Sequence, residues 1–447
     1  MYENKKIFIL GMARSGYEVA KFLSKYNNEI LITDMQEQDE EHVKELQNLK
    51  VRVEITKDPI PLIDESFDVV VKNPGIKYDN PLVLKAHELG IEVVNELEVG
   101  YTFLDDSVSI IGVTGSNGKT TTVTLIDKML KSELDNVYLC GNIGYPVTSV
   151  VDKVKENDIL VIEISDHQLC DMYKFKTNIS VLTNISETHI DFHDSYSRYK
   201  QMKKRIFNNH TKNDIAILNM DNEEVMKLTE DIKSKKYYFS KEKEVTCCIK
   251  DKAIYYNNEK IIDLNDIKVK GMHNYENIMA AIMVVKNYGI KNESIVKVLK
   301  EFKGVEHRIE YVDKVNGRIF YNDSKSTNNK ATITALSSFD EPTILLMGGL
   351  DRNIPFDEIG SYLNSVKLIV AFGETKEKVK EFSNKNGVEC HIFNNLKESV
   401  IDAYQNSSVG DVILLSPACA SWDQYKKFED RGDEFKEIVE QINRGVL

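Results

Sequence analysis

No run of about 18 apolar residues occurs in the 447-residue chain, so no membrane-spanning helix is expected. The opening segment MYENKKIFILG passes directly into a strand-like run. It lacks the apolar core and small-residue cleavage site of a secretion signal. Cysteine is scarce and scattered, at 140, 170, 247, 248, 390 and 419, without CxxC spacing. Neither a zinc site nor a disulfide framework is indicated, and a reduced, cytoplasmic protein is the simplest reading. Positive charge is also in deficit, with 58 Lys and Arg against 71 Asp and Glu and a net charge of -13. That balance speaks against a nucleic-acid partner, whose phosphates are met by clustered cations, but it leaves room for a phosphate ligand in a local positive pocket. Low-complexity linkers are missing as well, so domain limits must be read from changes in pattern.

What is present is a buried strand, a turn and an amphipathic helix, in three successive sections. The expected fold class is α/β with three domains: a Rossmann-like section over 1–97, a central parallel sheet of the P-loop ATPase type over 98–303, and a Rossmann-like section over 304–447. In the first, strand Lys6–Leu10 ends in Gly11-Met12-Ala13-Arg14-Ser15-Gly16, and a later strand, 29–33, ends in Asp34. A glycine turn opening a helix, followed by an acid about 20 residues on, is the logic of a dinucleotide site. Ala13 breaks strict GxGxxG, so a plain strand-to-helix turn and a nucleotide-phosphate role both stay open. Further strands are expected at 68–71, 108–113, 137–140, 159–164, 179–182, 215–218, 343–347, 368–372 and 412–415. Helices are expected near 195–209, 273–288 and 433–442.

The segment GVTGSNGKTTT, residues 112–122, carries the most chemistry. Gly115 and Gly118 permit backbone angles that other residues avoid. Loop N–H groups then converge on an anion at a helix N-terminus. Lys119 offers charge to the β- and γ-phosphates, and Thr120 a hydroxyl to Mg²⁺. Val113 stands where the strict P-loop pattern has glycine. Glu163, at the end of an apolar strand, is costly there unless paired or metal-bound, which makes it a metal candidate. His189 lies after a neighbouring strand and can reach the same rim, although a lone histidine is more often structural.

The motifs TGSNGKTTT (114–122), GNIGYP (141–146), NISETHIDFH (184–193), GMHNYENIMAA (271–281), EHRIE (306–310), NDSKSTN (322–328) and LLSPACASWDQYKKFEDRGDEF (414–435) resemble those of the Mur ligases over nearly the whole chain. The last two resemble the D-glutamate-adding branch of that family. The resemblance implies an ATP-dependent ligase of peptidoglycan precursor synthesis. It would join D-glutamate to UDP-N-acetylmuramoyl-L-alanine through an acyl-phosphate, with ATP and two Mg²⁺ ions, as a monomer. It also implies ATP contacts from Gly115, Ser116, Asn117, Gly118, Lys119, Thr120, Thr121, Asn274, Asn277, Arg308 and Asp323. Metal binding would fall to Thr120, Glu163, His189 and Lys203. Substrate binding would fall to Asp34, Asn142, Thr327, Arg352, Ser421, Trp422 and Phe428, with Lys119, His189, Lys203 and Lys325 at the reacting centre. Lys203 aligns with a lysine that such enzymes carry as a carbamate, which turns a cation that Mg²⁺ would repel into an anionic oxygen ligand. On sequence pattern alone, Lys203-Lys204 reads as two solvated lysines on a helix.

Departures from the family pattern are specific. Ser165-Asp166-His167-Gln168-Leu169 replaces the commoner Ser-Ser-Phe-Gln-Leu, Arg352 replaces a lysine, and Ala13 and Asn73 replace a glycine and a serine. A switch or motor ATPase and a nicotinamide oxidoreductase are the competing classes. The first lacks an Asn-Lys-x-Asp segment if guanine-specific, and the second leaves the phosphate loop without a purpose.

Overall fold

The computed structural model describes residues 2–187 and 190–447. Its three sheets follow one another along the chain. The first contains β1 (Lys6–Leu10), β2 (Glu29–Asp34), β3 (Arg52–Ile55), β4 (Val69–Lys72) and β5 (Glu92–Val94), in the order β3-β2-β1-β4-β5. The second contains β6 (Ser109–Thr114), β7 (Val137–Gly141), β8 (Ile159–Glu163), β9 (Ile179–Leu182), β10 (Ile215–Asn219), β11 (Lys235–Ser240), β12 (Cys247–Lys250), β13 (Ala253–Tyr256) and β14 (Glu259–Asp263). Its order is β14-β13-β12-β11-β10-β9-β6-β8-β7. The third contains β15 (Glu310–Val315), β16 (Arg318–Asn322), β17 (Thr343–Gly348), β18 (Val366–Phe372), β19 (Glu389–Ile392) and β20 (Val412–Leu415), in the order β15-β16-β20-β17-β18-β19. Central strands such as ILVIE of β8 and TILLMG of β17 are buried along their whole length. That is why they read as continuous apolar runs with no alternation. Among the described residues no helix is long and apolar enough to cross a membrane.

The chain divides into two compact units, residues 1–261 with 276–295, and residues 262–275 with 296–447. Within the first, buried polar groups link the segment after β5 to the second sheet. Asn95 Nδ2 donates to Gln168 O at 2.5 Å, and Glu98 accepts from the backbone N–H groups of Lys174 and Phe175 at 2.6 and 3.0 Å. Lys72, at the end of β4, sits 2.9 Å from Asp171 and donates to Ile76 O at 2.6 Å. Glu96 accepts from the N–H and hydroxyl of Thr148 at 2.6 and 2.8 Å.

Burial raises the Glu96 carboxyl from 4.5 to about 7 despite those Thr148 bonds. The folded state therefore holds a proton that the unfolded chain releases. This contribution is present in full below pH 4.5 and is lost as pH rises through about 7, an effect on the order of 3 kcal/mol. Glu96→Gln is expected to flatten that part of the stability–pH curve, measured by urea unfolding from pH 4.5 to 8. An unchanged slope would contradict the assignment.

The three-domain α/β expectation holds, with parallel pairing dominant and antiparallel edges where β12 pairs with β13 and β15 with β16. The connecting turns Asp251-Lys252 and Asn316-Gly317 have positive φ at both residues, the mirror-image turn that matches strand twist. The final helix spans Phe428–Asn443, so it begins five residues before the expected Asp433. Glu429 and Asp430 in its first turn favour that earlier start by meeting the positive end of the helix dipole.

Candidate active site

The phosphate loop joins β6 to the helix Lys119–Lys131. Gly115 has φ +150° and Gly118 φ +82°. A Cβ at either would lie 2.0 Å from Thr183 Oγ1 or 2.1 Å from Asn277 Oδ1, so both backbone angle and space require glycine. Gly118 caps the helix without a side-chain bond, which leaves first-turn N–H groups available to an anion. The segment after β9 holds the loop from behind. Ser116 N donates to Asn184 O at 2.9 Å, Asn117 N to Asn184 Oδ1 at 3.0 Å, and Thr183 Oγ1 to Asn117 O at 2.6 Å. Lys119 Nζ folds over the loop and donates to the carbonyls of Gly115 and Ser116 at 2.8 and 3.0 Å. Thr121 follows Thr120 in the first turn of this helix.

Sheet register brings the next groups in. Glu163, the last residue of β8, pairs with Val113 of β6 on one side and Gly141 of β7 on the other. Its carboxylate accepts from Thr120 Oγ1 at 2.8 Å and from Asn142 Nδ2 at 2.7 Å, and it is only 2% exposed. Thr120, Glu163 and Asn142 thus meet at the mouth of the loop.

The helix Tyr196–Lys204 separates the two lysines of its last turn. Lys204 lies at the surface, 2.6 Å from Asp231. Lys203 is fully buried, 3.1 Å from Asp166 Oδ1, and donates to Thr114 Oγ1 at 3.2 Å. Burial, reinforced by the charge of Lys119, lowers its ammonium to about 7 against the opposing pull of Asp166 and Glu163. The solvated-lysine reading therefore fails at 203 and holds at 204. Asp166, one of the departures from the family pattern, is the counter-ion, and its other oxygen lies 2.7 Å from Nε2 of the buried His193. His189 lies outside the described residues.

Asp34 accepts from Met12 N at 2.8 Å and Gln36 N at 2.9 Å, which fixes the glycine turn after β1. A cavity of about 450 Å³ is lined there by Gly11, Ala13, Asp34, Thr56 and Asn73. A second, of about 310 Å³, is lined by Arg14, Ser15, Asn73, Asn142 and His167. Asn277 Oδ1 accepts from Thr122 at 3.4 Å, while Asn274 Nδ2 donates to Lys270 O at 2.7 Å.

In the second unit, Asp323 follows β16 and is buried. It accepts from Ile309 N at 3.2 Å, Ser416 Oγ at 2.8 Å and Ser326 Oγ, and burial pushes its carboxyl up to about 7. These bonds hold the turn that carries the exposed Arg308. Lys325 Nζ lies 4.4 Å from the ring centre of Phe428, and the Arg352 guanidinium lies 4.8 Å from that of Trp422. Ser421 Oγ is buried and has no hydrogen-bond partner among the described residues. Thr327 is half-buried, just before the helix Asn329–Leu336. The structure thus pairs Lys325 with Phe428 and Arg352 with Trp422. Arg431 was not singled out by sequence reasoning, because an Arg-Gly pair inside a charged helix reads as solvent-facing.

Three family models match successive parts of the chain: the Mur ligase MurD-like N-terminal domain over 5–95, the Mur ligase middle domain over 113–285, and the Mur ligase glutamate ligase domain over 307–419. The chain belongs to the Mur ligase family. Within that family it is 43% identical over 445 residues, 99% of its own length and 98% of theirs, to UDP-N-acetylmuramoylalanine–D-glutamate ligases of Bacillus thuringiensis (strain Al Hakam) and Bacillus cereus (strain 03BB102). Among solved structures, the UDP-N-acetylmuramate–alanine ligase MurC of Thermotoga maritima superposes with a TM-score of 0.60 at 18% identity, covering 98% of this chain and 99% of that one. The MurF ligase of the same organism, solved in complex with ADP, gives 0.57 at 17% identity, covering 98% and 96%. These two likenesses concern the fold.

Proposed function

We propose that this chain uses ATP to join D-glutamate to the L-alanyl carboxylate of UDP-N-acetylmuramoyl-L-alanine, in peptidoglycan precursor synthesis. The observation that carries the ATP half is the meeting of Thr120, Glu163 and Asn142 at the open mouth of an uncapped phosphate loop. The amino-acid half rests on the likeness to the D-glutamate ligases and on the Arg352–Trp422 and Lys325–Phe428 pairs.

ATP phosphates lie on the loop N–H groups, with Lys119 released from its carbonyl partners to meet the transferring phosphoryl group. The substrate carboxylate attacks the γ-phosphorus, ADP leaves, and an acyl-phosphate remains. The amine of D-glutamate loses a proton and attacks the acyl carbon, and the tetrahedral adduct collapses to amide and inorganic phosphate. Asn142, held by Glu163, orients the substrate near the reacting carboxylate. Arg14, Asn142 and His167 line the cavity of about 310 Å³ that accepts its sugar side, and Asp34 the cavity of about 450 Å³ that accepts its nucleotide side.

A hydroxyl and a buried carboxylate are the hard oxygen donors that Mg²⁺ prefers, so Thr120 and Glu163 fit that ion. When bound, Mg²⁺ neutralises phosphate charge. Lys203 belongs to the same region. Burial leaves part of it as free amine near neutral pH, the form that adds CO₂ to give a carbamate and a proton.

The test is phosphate release with ATP, Mg²⁺, the UDP-sugar and a panel of D- and L-amino acids, with product identified by mass. Release that needs both the UDP-sugar and D-glutamate is expected. Release without the UDP-sugar rejects the ligase reading, and ligation of L-glutamate alone rejects the stereochemical one.

A further inference from the structure

Arg431, in the helix Phe428–Asn443, is fully buried, and among the described residues it is the bulkiest side chain so enclosed. Its Nε donates to Ser324 Oγ at 3.0 Å, and Nη2 donates to Ser324 O at 2.8 Å and Cys419 O at 3.1 Å. These partners lie after two neighbouring parallel strands, β16 and β20. Ser324 Oγ in turn donates to Phe428 O at 2.8 Å, which closes the link between that loop and the start of the helix. One guanidinium therefore spans the segment bearing Asp323, Lys325 and Thr327 and the segment bearing Ser421.

A buried guanidinium is costly to desolvate, and here its hydrogen bonds run to a hydroxyl and carbonyls, not to a carboxylate. Burial lowers its pKa from 12.5 to about 10, so it keeps its charge at neutral pH. Nη1 is buried and has no hydrogen-bond partner among the described residues. It lies beside Gly349, after β17, where a Cβ would come within 3.2 Å of Nη1 and 2.4 Å of Ala420 O. Ser421 Oγ, after β20, is a second buried donor with no partner among the described residues. The loops after β16, β20 and β17 therefore meet around one cation, at the carboxyl ends of parallel strands, where open α/β sheets take their ligands.

We propose that Arg431 is a positioning residue for the acceptor amino acid: acting through Ser324 and Cys419, it sets the spacing between the Lys325 loop and the Ser421 loop that receive the acceptor's carboxylates. The inference rests on the ligase reading above. A planar fork with several donors suits a clamp on three acceptor atoms, which a lysine ammonium cannot reproduce.

Steady-state kinetics of Arg431→Lys and Arg431→Ala test it, alongside acyl-phosphate formation measured without any amino acid by trapping as a hydroxamate. The KM for the acceptor amino acid is expected to rise about tenfold or more, corresponding to one lost charge-assisted hydrogen bond. KM values for ATP and the UDP-sugar should stay within about twofold, well short of the tenfold change expected for one such bond. Hydroxamate yield should equal that of the parent, and added guanidinium should partly restore acceptor affinity to Arg431→Ala. If Arg431 only stabilises the fold, hydroxamate yield and amide synthesis fall together with the melting temperature and guanidinium restores nothing, which overturns the proposal. An unchanged acceptor KM in Arg431→Lys overturns it too. A parent protein that yields no hydroxamate rejects the ligase reading itself, a result separate from any effect of Arg431.

Discussion

Substitution of Lys119 by methionine is expected to lower kcat about 100- to 1000-fold, the usual result of deleting one charged donor aimed at a transferring group. The side chain lies over the loop, bonded to Gly115 O and Ser116 O, and methionine keeps most of its length without its charge. The fold should survive, because the loop is held from behind by Thr183 and Asn184 and not by the lysine alone. The KM for the UDP-sugar should change little. Stopped-flow phosphate release together with circular dichroism checks both halves. Near-parental kcat would remove Lys119 from the phosphoryl-transfer step.

Lys203→Ala should act on stability and activity together. Removing one partner of a buried ion pair typically costs about 3–5 kcal/mol, because the other charge is left uncompensated. Here Asp166 would keep the imidazoles of His193 and His167, at 2.7 and 3.8 Å, in place of the ammonium. The double variant Lys203→Ala with Asp166→Ser should recover much of that loss, since it removes both charges. The sign of the pH effect is fixed by the depressed ammonium. Its contribution is present above pH 10.5 and is lost as pH falls through about 7, so parental stability gains across that window and the single variant lacks the gain. If Lys203 serves the proposed ligase reaction as a carbamate, turnover of Lys203→Ala should fall about 100-fold or more, with partial return on adding acetate. Full activity without acetate would show that no modified lysine is needed. Recovered stability with no recovered turnover in the double variant would separate the two roles.

Much of this was legible in the sequence, for local reasons. KIFIL and ILVIE announce buried parallel strands by uninterrupted apolar character, and GSNGKT announces a phosphate loop because glycine spacing and a following helix suffice to build it. The hairpins are also written locally, in Asp251-Lys252 and Asn316-Gly317, but their short, half-polar strands form no apolar run. The early start of the last helix is not legible locally, because its first turn, FEDR, shows no apolar periodicity.

The sequence by itself determined the strand–turn–helix alternation, the phosphate loop and the family, since each depends on residues within a few positions of one another. Tertiary structure alone decided which of two adjacent lysines is buried against Asp166, that Glu163 meets Thr120 across 43 residues of chain, and that Arg431 bonds to Ser324 across 107. Such contacts are set by sheet register and by which strand ends become neighbours. Those depend on how whole layers pack, and no short pattern of residue types encodes that distance.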